Sequence, residues 1–155
     1  NQLEIEDKIT FNDYKKFNLR VDNIKKTINI FLENIQQARN KIIGYGAATK
    51  GNIVLNHCLI NSKKIPLICD ENEEKFGRYT PGSNIKIISK KEMRKARPDY
   101  LLVLIWSFKS EVIRQELNYI KKGGKLIFHL PFLHIVDKQN YMDHLNENFD
   151  AFSYK

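Results

Sequence analysis

One stretch constrains the fold of this chain more than any other: a short apolar run that leads into a glycine-rich turn at residues 41–51, KIIGYGAATKG. Glycines at positions 44 and 46 let the backbone turn tightly and present bare N–H groups. A helical pattern follows from about Ala48, and a helix directs the positive end of its dipole at an anion near its first turn. The stretch therefore predicts a strand, a phosphate-sized loop and a helix, and we expect a small ligand to bind here.

Two well-known phosphate loops do not match this turn. The dinucleotide fingerprint G-x-G-x-x-G requires a third glycine where this chain has Thr49. The Walker A loop G-x-x-x-x-G-K-[ST] fits Gly46 and Gly51, but Asn52 and Ile53 stand where Lys and Ser or Thr are needed. The turn belongs to neither of these two loop classes.

Two interpretations of the turn remain open. It is either a plain strand-to-helix connection of an α/β domain or a Rossmann-like turn with an unusual interior. In the second case the Lys50 ammonium and the Thr49 hydroxyl contact a phosphate directly. The predicted phosphate contacts are then Gly44, Gly46, Thr49, Lys50 and Gly51.

Helical and extended patterns alternate along the rest of the chain. Further strands are predicted at 65–69, 85–88, 100–106 and 125–130, and helices at 12–39, 48–59, 89–96 and 109–121. The tail to residue 155 is expected to add a short strand and a weak helix. This alternation predicts an α/β fold, a Rossmann-like open and mostly parallel sheet with helices on both faces.

The chain divides at about residue 40. Residues 1–40 are expected to be a lead-in segment and a helix that packs on the domain, and residues 41–155 form the Rossmann-like domain itself. The lead-in helix carries an apolar stripe from Phe17 to Ile35. This stripe covers one face of the sheet or bridges to a preceding domain. In the helix at 89–96, Ser89 and Glu92 have the spacing of a capping box.

Several polar and aromatic residues are expected at the carboxyl edge of the sheet, where ligands of such folds bind. Asp70 ends the second strand about 20 residues after the glycine turn, where Rossmann proteins hold ribose hydroxyls, although a turn residue fits the same spacing. Arg78 and Tyr79, in a long loop, and Trp106, after the central strand, are expected to line this edge. Of the four histidines, only His129 is a candidate general base.

Charge and composition narrow the classes of protein. The formal net charge is +8, from 26 basic and 18 acidic residues, and six basic residues against one acidic residue fall within 86–97. Such a cluster is either a solvated face or a basic interaction surface. No apolar run is long enough for a membrane span and no signal peptide is evident, so the cytoplasm is the expected compartment. Cys58 and Cys69 are expected to be reduced core residues.

Motifs spread along nearly the whole chain resemble one family. They are Phe17-x-x-Arg20-Val21, Gly44 to Asn52, Leu55-Asn56, Asp70-Glu71-Asn72, Gly77 to Gly82, Arg97 to Tyr100, Trp106 and Gly123-Gly124-Lys125. In this order they resemble the C-terminal domain of the sugar C-methyltransferases, which use S-adenosylmethionine to methylate nucleotide-linked keto-deoxysugars. Two positions depart from the family pattern: Ser107 follows Trp106 where Asn is usual, and His129 interrupts the closing apolar strand.

The resemblance implies a longer enzyme with three domains that have different functions. A small N-terminal domain binds zinc, a middle domain holds S-adenosylmethionine and the catalytic residues, and the Rossmann-like C-terminal domain helps to hold the nucleotide diphosphate sugar. Methylation would proceed through an enolate formed next to the ketone. For this chain it implies no catalytic residue, no metal ligand and no tightly bound cofactor. The expected partners are the substrate and an upstream methyltransferase domain. The substrate-binding residues are predicted from their shared position at the strand ends: Gly44, Gly46, Thr49, Lys50, Gly51, Asp70, Arg78, Tyr79 and Trp106.

Two other classes of function remain open at this point. One is an NAD(P)-type dinucleotide-binding domain, against which the imperfect glycine pattern counts. The other is a basic interaction module without catalysis, which would use residues 86–97. A nucleic-acid partner is not favoured, because the chain lacks the recognised nucleic-acid-binding modules.

Overall fold

The computed structural model describes residues 11–146 as a six-stranded sheet flanked by helices. The strands are β1 Ile42–Tyr45, β2 Leu67–Asp70, β3 Lys86–Ser89, β4 Tyr100–Val103, β5 Lys125–Phe128 and β6 His134–Val136. The helices are α1 Phe11–Gln37, α2 Thr49–His57, α3 Lys90–Ala96, α4 Lys109–Gln115, α5 Leu117–Lys121 and α6 Tyr141–Asn146. No helix of this described part is long and apolar enough to cross a membrane.

The strand order β3-β2-β1-β4-β5-β6 confirms the predicted Rossmann-like α/β fold. The first five strands pair in parallel, and only β6 runs antiparallel to its neighbour β5. The chain leaves β1 toward β2 on one side and returns from β3 to β4 on the other. The carboxyl ends of β1 and β4, which pair directly, therefore mark the switch point where ligands bind in such sheets.

Two apolar layers hold the sheet between its helices. Ile42 packs in the layer that contains α1 and α2, whereas its neighbour Ile43 packs in the layer that contains α3, α4 and α5. Consecutive residues of β4 divide in the same way: Leu101 and Val103 face one layer and Leu102 faces the other. Successive strand residues point to opposite faces, so a sheet covered on both faces needs the unbroken apolar runs found here.

The capping box predicted for α3 is confirmed. The backbone N–H of Glu92 donates to the Ser89 side chain, and the Glu92 carboxylate accepts from the Ser89 backbone N–H at 2.9 Å. These hydrogen bonds from Ser89 lower the pKa of Glu92. The helix ends at Ala96, and the C-cap residue Arg97 takes the left-handed conformation with φ 47°. Both free cysteines, Cys58 and Cys69, are buried as expected.

Several of the predicted strands and helices are longer than the observed ones. The central strand β4 stops at Val103, and Trp106–Phe108 forms a turn of 3₁₀ helix instead of the end of a strand. The helix predicted at 109–121 is two helices, because Glu116 breaks the regular pattern between α4 and α5. The expected short strand and weak helix of the tail are β6 and α6. Residues 1–10 and 147–155 lie outside the described residues.

The apolar stripe predicted for α1 is buried only in its second half. Ile28, Leu32 and Ile35 are at most 3% exposed, but Phe17 is 60% exposed. Of the two expectations for this stripe, packing on the sheet holds for the second half of the helix, and a bridge to a preceding domain stays a prediction for the first half. Sequence periodicity identified the correct face of α1 but did not show how far along the helix that face is covered.

Candidate functional site

The turn after β1 depends on Gly46. Its φ of +91° lies in the left-handed region that favours glycine. A Cβ atom at this position would stand 2.6 Å from Cγ2 of Ile105, much closer than van der Waals contact. The Gly46 N–H donates to the carbonyl of Cys69 at 2.8 Å, which fixes the turn against the end of β2. Both backbone conformation and close packing therefore require glycine here.

Gly51 has one role of the third glycine of the dinucleotide fingerprint, which is to allow close packing of the helix on the sheet. It is buried in the first turn of α2, and a Cβ atom would stand 2.8 Å from the Cβ of Leu104, just beyond β4. The helix can therefore pack close to the sheet, as the last glycine of the fingerprint allows. Gly44 lies inside β1, between Ile68 of β2 and Leu102 of β4. The contact of these two glycines with phosphate stays a prediction.

The first turn of α2 presents amide groups without a side-chain cap. Its N-cap residue, Ala48, has no side chain that can accept a hydrogen bond from the helix. The N–H groups of the next residues have no acceptor within the helix, since the ladder begins with Asn52 N–H donating to the Ala48 carbonyl at 3.0 Å. Thr49 and Lys50, the first two helical residues, are exposed. This end of α2 is suited to an anion.

A cleft of about 440 Å³ opens beside the start of α2. Helix α2 contributes Thr49 and Asn52, and the loop between β2 and β3 contributes Lys75, Arg78 and Tyr79. The side-chain oxygen of Asn52 is buried without a hydrogen-bond partner. Three of the predicted site residues, Thr49, Arg78 and Tyr79, are therefore brought together in one cleft.

The loop that carries Arg78 is fixed by its own hydrogen bonds. The Arg78 carbonyl accepts from the Ile87 N–H at 2.8 Å, and the Gly77 N–H donates to the Ile87 carbonyl at 2.9 Å. Thr80 is 3% exposed, and its hydroxyl oxygen accepts from the Ile85 N–H at 3.0 Å. The sequence predicts a long loop around Arg78 and Tyr79, and in the structure this part of the loop folds back against β3.

Asp70 closes the turn from the end of β2. Its carboxylate accepts hydrogen bonds from the Ala47 N–H at 2.8 Å, the Asn72 N–H at 2.9 Å and the Lys75 ammonium at 3.2 Å. Lys75 also donates to the Ala47 carbonyl at 3.0 Å. The structure therefore gives Asp70 the turn role that sequence analysis left open. A ribose contact stays a prediction, for which one further acceptor position of the carboxylate is available.

A second cleft, of about 220 Å³, lies on the other side of Gly46. The Tyr45 hydroxyl donates to Glu116 at 3.0 Å, and the Lys90 ammonium donates to the Gln115 side chain at 2.7 Å and lies 4.7 Å from the centre of the Tyr45 ring. Burial raises the pKa of Tyr45 above its ordinary range, so the phenol stays protonated. The exposed ring of Phe108 also lines this cleft.

Comparison with known proteins identifies the family. The family described as "C-methyltransferase C-terminal domain" matches residues 2–131. The chain belongs to this family. A relative, C-methyltransferase NovU of Streptomyces niveus, is 28% identical over 127 residues, which are 82% of this chain and 30% of the relative. The chain thus spans less than a third of the length of that relative.

One solved structure with a partial likeness is UDP-D-quinovosamine 4-dehydrogenase from Vibrio fischeri. It is 15% identical in sequence and aligns with a TM-score of 0.41 over 68% of this chain and 84% of its own. The assignment of this C-methyltransferase domain to the Rossmann-like folds rests on its own strand order.

Two residues predicted at the edge of the sheet lie outside both clefts of the C-methyltransferase domain. Trp106 is half-buried in the 3₁₀ turn after β4 and lines neither cleft. His129 follows β5 and is 1% exposed, and neither ring nitrogen makes a hydrogen bond of good geometry. Burial lowers the pKa of His129 to about 4, and an interaction with the Val103 backbone offsets only part of the shift. His129 is thus shielded from a ligand at this edge.

Four residues that sequence analysis did not select contribute to the two clefts of the domain: Asn52, Lys75, Lys90 and Gln115. Lys75 follows Asp70 by five positions, and this spacing is the only sequence signal for the ion pair. Lys90 and Gln115 meet because α3 and α4 lie on the same face of the sheet. No local motif indicates this contact.

A larger cavity, of about 600 Å³, lies at the opposite edge of the sheet. Arg97 and Asp99, which precede β4, and Gly124, which precedes β5, place it at the amino ends of the strands. It contains none of the predicted site residues. We therefore take the two clefts around the Gly46 turn as the candidate site, despite their smaller size.

Proposed function

We propose that this chain holds the nucleotide diphosphate sugar substrate of an S-adenosylmethionine-dependent C-methyltransferase. The observation that carries the proposal is the cleft between the uncapped start of α2 and the loop of Lys75 and Arg78. Uncapped amides and the exposed Arg78 guanidinium match a diphosphate in charge and in hydrogen-bond donors, and Lys75, which already pairs with Asp70 at 3.2 Å, completes this side of the cleft. Family membership supports the methyltransferase part of the proposal.

The two clefts have separate roles in this proposal. The diphosphate lies at the start of α2, where Arg78 can pair with phosphate oxygens through two parallel hydrogen bonds. Lys50, the second residue of α2, is exposed but lines neither cleft, and its contact with phosphate stays a prediction. The nucleoside lies across the Gly46 turn, where Asp70 offers an acceptor and Phe108 offers an exposed ring. The sugar then extends from the clefts toward solvent and the rest of the enzyme.

S-adenosylmethionine does not fit the cleft at α2. Its sulfonium group carries a positive charge, which the exposed Arg78 guanidinium of this cleft would repel. The relative has more than two thirds of its length outside the match. The cofactor and the methyl-transfer chemistry therefore belong to another part of the longer enzyme. This chain contributes substrate binding and orientation.

The other two functions are less well supported. Dinucleotide binding would need close backbone approach along a G-x-G-x-x-G turn, and this turn carries Thr49 in the third glycine position. A basic interaction module would need free cations along α3. Two of them are already engaged, since Lys90 pairs with Glu71 and Arg94 pairs with Glu116.

Isothermal titration calorimetry of the 155-residue chain tests the proposal directly. Uridine, thymidine and guanosine diphosphates are compared with NAD, and we expect heat from a nucleoside diphosphate at submillimolar concentration. Arg78→Ala should weaken this binding roughly 10-fold or more, because it removes a charge-assisted hydrogen bond. Arg114→Ala is the matched control, since Arg114 is exposed on α4 and lines neither cleft.

Two results would contradict the proposal. One is the absence of heat from every nucleoside diphosphate at millimolar concentration. The other is an equal loss of affinity in Arg78→Ala and Arg114→Ala, which would reflect the general charge of the chain and not a phosphate contact. Tighter binding of NAD than of any nucleoside diphosphate would favour the dinucleotide alternative.

A further inference from the structure

Helix α1 carries an apolar seam along its length. Its residues alternate at spacings of three and four: Tyr14, Phe17, Val21, Ile24, Ile28, Phe31 and Ile35. This is the spacing of the a and d positions of a heptad, which place their side chains on one face of a helix. A single seam therefore runs from the first turn of α1 to its last.

The second half of the seam is covered by the domain itself. Ile28 is fully buried and Ile35 is 3% exposed. The Asn29 side chain donates to the Cys58 carbonyl at 2.8 Å, and the Gln36 side chain donates to the Lys63 carbonyl at 2.8 Å. The Phe31 ring packs edge-on against Tyr100. These contacts fix the direction in which the helix leaves the domain.

The start of the seam is uncovered, and Val21 and Ile24 behind it are half-buried. Tyr14 is 57% exposed and Phe17 is 60% exposed, and Phe11 at the start of the helix is 74% exposed. At about 1.5 Å per residue, the turns before Ile24 extend for about 20 Å. A helical extension with an exposed aromatic face is poorly stable in water, because most helical stability in proteins comes from packing of the apolar face.

We propose that Tyr14, Phe17 and Val21 dock on the upstream methyltransferase domain of the same polypeptide, in an apolar groove with an acidic rim. This inference rests on the proposed function. The family is a C-terminal domain, and more than two thirds of the relative lies outside the matched part. The uncovered seam also continues, without a change of face, the seam that already packs on the domain. One helix would thus hold both domains at a fixed angle.

The charges beside the seam define the partner surface. Residues 11–26 contain five basic side chains, Lys15, Lys16, Arg20, Lys25 and Lys26, against the two acidic side chains Asp13 and Asp22. A second copy of this helix would bring two net basic faces together, and like charges across an interface are unfavourable. An acidic rim complements them. Three or four side chains also form too small a surface for a stable dimer, whereas a tethered domain has a high effective concentration.

Hydrogen exchange in the longer natural polypeptide and in the 155-residue chain tests the docking. We expect amides of residues 14–21 to exchange at least 10-fold more slowly in the longer polypeptide. Phe17→Glu should remove this protection. Glutamate favours helix more than phenylalanine does, so faster exchange would not come from weaker helix propensity. Leu19→Glu is the matched control, since Leu19 is 70% exposed but does not belong to the seam.

Equal exchange of these amides in the two polypeptides would overturn the proposal. Light scattering supplies a second measurement: the 155-residue chain should be monomeric, and a dimer that Phe17→Glu dissociates while Leu19→Glu does not would identify a second copy as the occupant. Calorimetry with nucleoside diphosphates should be unaffected by either variant. Protection of α1 without nucleotide binding would contradict the proposed function alone.

Discussion

The carboxylate of Asp70, at the end of β2, accepts a hydrogen bond from the backbone N–H of Ala47 at 2.8 Å. Ala47 follows the glycine turn and precedes α2, so this bond joins the second strand to the start of the helix. Lys75 bridges the same two residues, since its ammonium donates to the Asp70 carboxylate and to the Ala47 carbonyl. The acidic residue that the spacing assigned to a ribose thus also builds the loop that would hold the phosphate.

Removal of the Asp70 carboxylate should loosen this loop. We expect Asp70→Ala to lower the free energy of unfolding by about 1–3 kcal/mol, because three donors lose their acceptor. Nucleoside diphosphate affinity should fall with it. Asp70→Asn keeps one acceptor for the Ala47 N–H and should cost less on both measures. Urea unfolding and calorimetry check this, and equal losses in the two variants would contradict a role for the Ala47 hydrogen bond.

Comparison of Gly46 with Gly77 distinguishes two reasons why a position requires glycine: a positive φ, and a lack of space for a Cβ atom. Both have positive φ, +91° and +76°, but a Cβ atom at Gly77 meets nothing within 4 Å. Gly77→Ala should therefore cost only backbone strain, about 1 kcal/mol. Gly46→Ala should cost more, because its Cβ atom would also overlap Ile105. The urea midpoints of the two variants measure the difference between their losses of stability. In the double variant Gly46→Ala/Ile105→Ala, part of the extra loss caused by Gly46→Ala should be recovered. Equal costs would show that the Ile105 contact is unimportant.

The Gly46 turn shows how far sequence could predict the candidate site. The strand, turn and helix followed from local composition, because each residue's own backbone preferences decide them. The contacts among Asp70, Ala47 and Lys75 depend on how β2 returns beside β1, which no local pattern encodes. The same limit applies to Lys90 and Gln115, which belong to different helices.

Helix α1 shows the corresponding limit for the fold. Its period of three and four residues identified one apolar face, and Ile28 and Ile35 lie on it as expected. The period carries no information about the length of the surface against which the face packs. Phe17 has the same spacing as Ile28 but is 60% exposed. The alternation of strands and helices along the sequence was sufficient to predict a mostly parallel sheet, since parallel strands require crossover connections, which are usually helices.

Arg94 forms an ion pair with the buried carboxylate of Glu116. Glu116 is 1% exposed, and its partners are the Arg94 guanidinium at 2.7 Å and the Tyr45 hydroxyl at 3.0 Å. Arg94→Met should lower the free energy of unfolding by about 1–3 kcal/mol, a value reduced from that of a fully buried pair because the Arg94 side chain is half exposed. The double variant with Glu116→Gln should be more stable than Arg94→Met alone, since a neutral amide needs no counter-charge. Thermal or urea unfolding measures the stability of the single and double variants. If the losses from Arg94→Met and Glu116→Gln simply added, the two side chains would not be energetically coupled.

His129 should make the domain sensitive to acid. Its pKa is about 4 in the fold and 6.5 as the ordinary value, with burial as the main cause. The fold therefore favours the neutral ring, so the stability that His129 supports is complete above pH 6.5 and is lost as the pH falls toward 4. At 1.36 kcal/mol per pKa unit, the loss amounts to about 3 kcal/mol.

The substitution His129→Leu isolates this effect, because leucine fills similar space and does not titrate. We expect the drop in unfolding free energy between pH 7 and pH 4.5 to be smaller in this variant than in the unchanged chain. Exposed His57 provides the control, and His57→Leu should retain the full pH dependence. Urea titrations at the two pH values measure all three chains. If His129→Leu kept the full drop, carboxylates elsewhere in the chain would be responsible, and the buried imidazole would have no part in the acid response.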